Sequence, residues 1–469
     1  MFETFSLNAG NLGSKMQAAR GLQTPEAVSI EYPRFCQRVT FSPTVLLLSF
    51  LLICSLAGRS QAQTSPEFFS LQMNSGTISQ QPWPSVSFGG MRLWDSQVHW
   101  RDINTAPGVY DWSLLQEWLA DAQLYNVNVL YTFGEVPQWA SSDPNDPNCS
   151  GGAGACDPPN DLNADGTGSD QHWKNFVSAL ASYNQNSSTG HIQYWELWDE
   201  ALGNPLRWTG TVAQLIRMAR DATSIIKAAD SSAIVLNPTF GAQLRSSRDM
   251  LDQYLAAGGG QYADAIAYHG YVTKKGSPGI PEDLVQNISL SKSVLKKYGQ
   301  NYKPLWDTEA SWGNVLKNGF NDRDLQAAFL ARFYLLHWSV GTARFYWYEW
   351  NNETDGGLWV PDPNDPSLPG VLLEPGVAYA QLYDWIVGAT LTSSCAPNGT
   401  VWTCKLSRPG GYEAKAIWNT AKTCKNGSCD TTNYTVNSKY KQYRTITGST
   451  FPINDSKVPI GIQPILVEN

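Results

Sequence analysis

Between Phe68 and about Gly388 the chain repeats one unit eight times: a short apolar or β-branched run, a polar loop, then an amphipathic segment. The runs that read as strands are Phe69–Met73, Met91–Trp94, Val127–Phe133, Ile192–Trp198, Ala233–Asn237, Ala265–Tyr268, Pro304–Thr308 and Arg344–Tyr348. Between them, apolar residues recur at the three-to-four spacing of a helix face: Leu114, Leu115, Trp118, Leu119 and Ala122 after Asp111 or Ser113 as cap; Trp173, Phe176, Val177 and Leu180 after Asp170; Leu215, Ile216, Ala219, Ala222 and Ile226. Asp324–Trp338 is apolar nearly all round, which predicts a deeply packed helix, and a last helix is expected over Gly376–Val387. The Pro-rich stretch Gln80–Val86 is the weakest helical segment and reads as irregular. Eight strand–helix units in about 320 residues predict a closed parallel (β/α)₈ barrel rather than an open doubly wound sheet. No glycine-rich phosphate loop follows the first strand, which argues against dinucleotide binding.

After Ala389 the texture changes to Thr, Ser, Asn and Gly with β-rich runs at Thr400–Leu406, Tyr412–Trp418 and Ile460–Val467, predicting a small antiparallel β-sandwich. Gln63–Phe68 is a candidate extra strand for it. The expected organisation is an N-terminal extension and signal peptide over 1–62, the barrel over 63–388 and the sandwich over 389–469. The leader expectation rests on Val45–Ala57, an apolar run of about 13 residues preceded by Arg34 and Arg38 and followed by Ser60-Gln61-Ala62 as a cleavage site. It implies a secreted or periplasmic protein with no stable membrane association once the leader is removed; an uncleaved anchor is the alternative. Of 8 cysteines, Cys36 and Cys54 fall in the leader. The rest group as Cys149 with Cys156, Cys395 with Cys404 and Cys424 with Cys429, which in an exported chain reads as three short-loop disulfides.

A net charge of −8 without a basic cluster argues against a nucleic-acid partner. The 19 Trp and 21 Tyr suit either a large core or the stacking of sugar rings. In a barrel of this type the chemistry sits at the C-terminal strand ends, and two segments put carboxylates there. The fourth strand, His191–Glu200, alternates Tyr194, Glu196 and Trp198 onto one face and ends in Asp199 and Glu200; the seventh carries Glu309 at its lip. Strands four and seven stand on opposite sides of an eight-stranded barrel. Their carboxylates can face each other across the mouth, as hydrolysis of a glycosidic bond requires. The bland alternatives are that Glu200 caps the next helix and Glu309 is an ion-pair partner of Arg92. Glu196 and Asp307 read as interior hydrogen-bonding groups, and Glu349 as a reserve carboxylate. Glu135, at the end of strand three, reads as a sugar contact and Trp139 as a stacking ring. His99, Trp100 and Trp312 are divided between subsite walls and packing.

Trp195-Glu196-Leu197-Trp198-Asp199-Glu200 resembles the fourth-strand motif of clan A glycoside hydrolases, which usually ends Asn-Glu, and Trp306-Asp307-Thr308-Glu309 resembles their seventh-strand nucleophile motif. Arg92-Leu93-Trp94-Asp95 is similar to the clan's second-strand arginine, and Tyr268-His269-Gly270-Tyr271 to its His-x-Tyr beside the nucleophile. Trp347 or Trp350 is similar to the aromatic floor of its sugar site. The match spans about Phe68 to Val387, and with the trailing sandwich it most resembles the family 39-like group. The resemblance implies a monomeric retaining hydrolase that cleaves β-glycosidic bonds in a poly- or oligosaccharide by double displacement. Glu200 would be the acid/base and Glu309 the nucleophile; Arg92, Asp199, His269 and Tyr271 would surround the sugar, with no metal and no cofactor. Asp199 departs from the clan's Asn and keeps open the alternative of a catalytically altered carbohydrate-binding protein. A metal-dependent barrel hydrolase is the weaker rival, since only five His are present and none forms an His-x-His pair.

Overall fold

The computed structural model describes residues 63–74, 82–364, 368–425 and 427–469; the leader expected over 1–62 lies outside them. Eight parallel strands form the barrel: β1 Phe69–Gln72, β2 Gly90–Leu93, β3 Asn128–Thr132, β4 Ile192–Glu196, β5 Ile234–Leu236, β6 Ile266–Tyr268, β7 Leu305–Ala310 and β8 Thr342–Trp347. Each pairs with its sequence neighbours, β1 pairs with β8, and parallel bridges from Leu236 to Ala265 and from Gly241 to His269 close the gap between β5 and β6. All eight expected strands are therefore present. Residues 82–88 are irregular, as the Pro-rich sequence suggests.

Alternation sorts each strand into a barrel-facing and a helix-facing set. Leu130, Tyr194, Leu236, Ala265, Ala267, Trp306 and Tyr346 form the packed interior, where the small Ala265 and Ala267 leave room for the Trp306 indole. The Arg344 guanidinium lies 4.4 Å from both the Tyr194 and Trp306 ring centres and pairs with Glu67 at the N-terminal end of the barrel. Outward residues such as Phe345 and Trp347 meet Phe333 and Tyr334 of the helix Arg323–Val340. That helix is buried without a break from Gln326 to Trp338, as its all-round apolar sequence predicts.

The C-terminal region is a six-stranded antiparallel sheet covered on one face by the pair Thr432–Thr435 and Lys457–Ile460, with Ile417, Val458, Ile460, Ile465 and Val467 between the layers. This is the expected sandwich. Its opposite face packs on the barrel helices, and Glu282 joins the two by accepting from Trp418 Nε1 at 2.8 Å and from Arg332 at 2.9 Å. Gln63–Phe68 does not add a strand: Pro66–Phe68 is a 3₁₀ turn, where Pro66 cannot donate to a ladder, and Thr64 instead exchanges backbone hydrogen bonds with Gly388 and Ala389. The three disulfides join Cys149 to Cys156, Cys395 to Cys404 and Cys424 to Cys429. Among the described residues no helix is long and apolar enough to cross a membrane.

Candidate active site

Arg92 on β2 organises the barrel mouth. Its fully buried guanidinium donates to Gln72 Oε1 (2.8 Å), Thr132 Oγ1 (3.0 Å), Glu196 (2.9 Å), Asp199 Oδ1 (2.6 Å) and Glu309 Oε2 (2.6 Å). Every N–H that inward alternation aims at the axis thus meets an acceptor from β1, β3, β4 or β7. Burial alone would weaken the Arg92 charge; three carboxylates reverse this and raise its pKa well above the ordinary value.

Glu309 reaches this position through an irregularity. Between Asp307 and Ala310, β7 carries one more residue than its partner β8. Asp307 points out to His337 Nε2 (2.6 Å), and the bulge turns Glu309 inward where strict alternation would have turned it out. Tyr271 donates to Glu309 Oε1 at 3.1 Å. Glu200 sits just beyond β4 at φ 44°, its N–H donating to Thr239 Oγ1 at 2.6 Å. Its Oε2 accepts from Asn204 at 2.6 Å, and its Oε1 lies 3.1 Å from His269 Nδ1. That same nitrogen is 3.9 Å from Glu309 Oε1, so the two carboxylate oxygens stand no further apart than the sum of those distances, about 7 Å. Glu200 is 27% and Glu309 13% exposed, whereas Asp199 is 2% exposed.

The electrostatics divide the pair. Burial pushes Glu309 up to about 7 against the pull of His269 and Arg92. Glu200 is also penalised by burial, but hydrogen bonds from His269 and Asn204 and the charge of Arg207 bring it down to about 2. His269, though buried, rises to about 9 because Glu309, Glu200 and Asp199 surround it. The free site therefore carries a proton on His269 that it shares with Glu200, and not on Glu200 itself.

Of the sequence-predicted residues, Glu200, Glu309, Arg92, Asp199, His269 and Tyr271 are brought into this one cluster. Glu135 sits just beyond β3 at φ 58°, 3.5 Å from His99 Nδ1 and 3.7 Å from Arg207, beneath the Cys149–Cys156 loop. Gly151 of that loop lies so close that a Cβ there would come within 2.4 Å of the Glu135 carboxyl. Three rings are not brought to the pair. Trp347 and Trp350 are fully buried, Trp347 on the helix-facing side of β8, and Trp139 stands edge-on to His172 with its N–H bonded to the Asn104 carbonyl. Trp198 likewise breaks the expected alternation: the strand ends at Glu196, and its ring packs outward on Trp173 and Trp208. Trp100 and Trp312 are core residues.

Sequence reasoning missed three groups at the mouth. Tyr348 continues the inward set Arg344–Tyr346, bonds to Asp95 and feels the charge of Glu309. Asp95 follows Trp94 on the β2 loop. Arg207 lies on the β4 loop with its guanidinium 4.9 Å from the Trp94 ring centre. Period-two counting could have found Tyr348; nothing local marks Arg207. Among the described residues two clusters have metal-ligand composition, and neither is arranged for a metal. Cys149 and Cys156 are joined to each other, and in the cluster of Glu196, Asp199 and His269 both carboxylates are taken up by the Arg92 guanidinium.

No family model and no curated protein matches the chain. Solved structures do match its fold. The chain is similar to a family 39 glycoside hydrolase from the gut symbiont Bacteroides cellulosilyticus (16% identity, TM-score 0.61, 87% of this chain and 82% of that one). It is also similar to a monomeric β-xylosidase from Caulobacter crescentus (13%, 0.59, 87% and 97%) and a family 30 endoxylanase from Clostridium papyrosolvens (11%, 0.55, 87% and 97%). Its structural neighbours are thus glycoside hydrolases of families 39, 30 and 51, and at these identities the likeness is one of fold.

Proposed function

We propose that the protein is a retaining glycoside hydrolase acting on β-linked sugars, with Glu309 as nucleophile and Glu200 as acid/base. The observation that carries this reading is the pair itself: two cleft-exposed carboxylates from opposite strands share one histidine and stand at most about 7 Å apart, a bound that admits the roughly 5–5.5 Å of double displacement. In the first step a Glu309 oxygen bonds the anomeric carbon while the bond to the leaving oxygen breaks, and that oxygen takes the proton held between His269 and Glu200. In the second, water attacks the glycosyl-enzyme, gives its proton back to Glu200 and releases Glu309. Arg92 and the Tyr271 hydroxyl stabilise the charge that returns to Glu309. The xylosidase, xylanase and glucosidase activities of the structural neighbours make aryl β-xylosides and β-glucosides the first substrates to try. Three disulfides suit an exported enzyme.

A second reading has its own support. With Glu200 held near 2 and Glu309 near 7, the free-site acidities match swapped roles, Glu309 as acid and Glu200 as nucleophile. The Arg92 and Tyr271 contacts to Glu309 favour the first assignment, because both groups donate and neither stabilises a protonated carboxyl as well as an ionised one. Trapping with 2-deoxy-2-fluoro aryl β-glycosides and mapping the labelled peptide separates them. A covalent adduct on Glu309 is expected, an adduct on Glu200 reverses the roles, and turnover with no adduct on either rejects the covalent route.

A further inference from the structure

Arg207 is in an unusual state for an arginine so well enclosed. Its guanidinium lies against the face of Trp94, 4.9 Å from the ring centre, and is 26% exposed. Burial pulls its pKa down, and Asp199, Glu309, Glu200 and Glu135 together outweigh that and raise it. Two carboxylates flank the guanidinium, Asp199 Oδ2 at 3.4 Å from Nε and Glu135 Oε1 at 3.7 Å from Nη1, the first long and out of line for a hydrogen bond and the second too far for one. The aromatic face and the two flanking carboxylates fix the plane of the group and leave its donors unspent. Asp199 is the complementary case. It is an acidic residue at the catalytic pair, yet 2% exposed, with one oxygen on Arg92 and the other toward Arg207. It has almost no surface with which to touch a ligand.

We propose that Arg207 is a substrate-contacting, specificity-determining residue that donates to the ring hydroxyl next to the anomeric carbon, and that Asp199 is the positioning residue that holds it there. This rests on the glycosidase reading above. Geometry selects that hydroxyl. The reacting carbon must lie between Glu200 and Glu309, and Asp199 is tied through Arg92 to Glu309 by two contacts of 2.6 Å. The substituent on the adjacent ring carbon is therefore the one that comes nearest to Asp199 and its guanidinium. A charged donor with planar geometry suits a hydroxyl oxygen. A carboxylate is what Asp199 needs in order to hold that donor, since an amide in its place would bring no charge to oppose that of Arg207.

The test compares aryl β-xylosides and β-glucosides with their 2-deoxy counterparts in wild type, Arg207→Met, Arg207→Lys, Asp199→Asn and the double variant Asp199→Asn/Arg207→Met. Arg207→Met is expected to lower kcat/KM about 10- to 100-fold on the parent glycosides, the span of a hydrogen bond to a charged group, and by less than about threefold on the 2-deoxy ones. Arg207→Lys recovers part of the loss. The double variant loses no more than Arg207→Met alone, because both changes remove one contact. Equal losses on parent and 2-deoxy substrates, or additive losses in the double variant, overturn the proposal. Should wild type hydrolyse none of these glycosides, the glycosidase reading falls first. Calorimetric titration with 1-deoxynojirimycin, which has the adjacent hydroxyl, and isofagomine, which lacks it, then decides the role of Arg207. Wild type is expected to favour the former more than Arg207→Met does; identical preferences in the two proteins overturn it.

Discussion

Replacing Arg92 by methionine isolates the electrostatic construction of the barrel mouth from any assumption about chemistry. The substitution keeps an unbranched apolar stem and removes a guanidinium that makes five hydrogen bonds, three of them to carboxylates. Glu196 and Asp199 are buried, and without Arg92 each loses the guanidinium contact that most directly opposes its charge in a low-dielectric site. Breaking such a buried pair costs about 3–5 kcal/mol, a large share of the ~5–15 kcal/mol that holds a typical domain together. The pH dependence has a definite sign. Burial already holds Glu309 up at about 7, and loss of Arg92 removes one of the two charges that pull it down, so the folded variant binds more protons than the unfolded chain. Its stability then rises as pH falls. Urea unfolding of both proteins at pH 8 and pH 5 should therefore show the full deficit at pH 8 and a smaller one at pH 5. A deficit below about 1 kcal/mol at pH 8, or one that widens on acidification, would refute the view that Arg92 is held by ionised partners.

For the roles proposed, kcat/KM needs Glu309 ionised and the His269–Glu200 proton retained. A bell-shaped profile is expected, rising through about 7 and falling through about 9, and an optimum in the ordinary carboxylate range would contradict it. His269→Asn should move the falling limb down from about 9, because the Glu200 carboxyl then holds the proton alone, with its own pKa released upward from about 2. Tyr348→Phe is expected to reduce kcat/KM about tenfold without moving the urea midpoint, whereas Trp347→Ala should destabilise by about 3–5 kcal/mol. The opposite pattern would return the sugar-facing ring to Trp347.

How far the sequence determines the site can be read strand by strand. The barrel was legible because eight strand–helix alternations admit few other closures, and Glu200 was legible because strand ends fall where apolar runs stop, whereas Arg92, His269 and Tyr271 were reached through the resemblance of their motifs. Within a strand, alternation alone places Arg344, Tyr346 and, one step on, Tyr348 inward, and turns Phe345 and Trp347 out to the helix. An aromatic residue near the site therefore has to be assigned by its parity, and a Trp is no better a sugar platform than a Tyr if it faces the wrong layer. Glu309 shows the limit of that rule: it shares the parity of Asp307, which points out to His337, and comes inward because the β7 bulge inserts one residue. A bulge forms where the paired strand cannot follow, so it is a property of β7 and β8 together and leaves no mark in either alone. The same holds for Arg207 and the protonation of the pair. Both depend on residues far apart in sequence that meet at the mouth, with Trp94 and Asp199 around the guanidinium and His269 between Glu200 and Glu309. Where chemistry depends on one strand's own period, sequence suffices. Where it depends on charge shared among β2, β4, β6 and β7, the acidity of each group is set by the others, and only the assembled barrel fixes it.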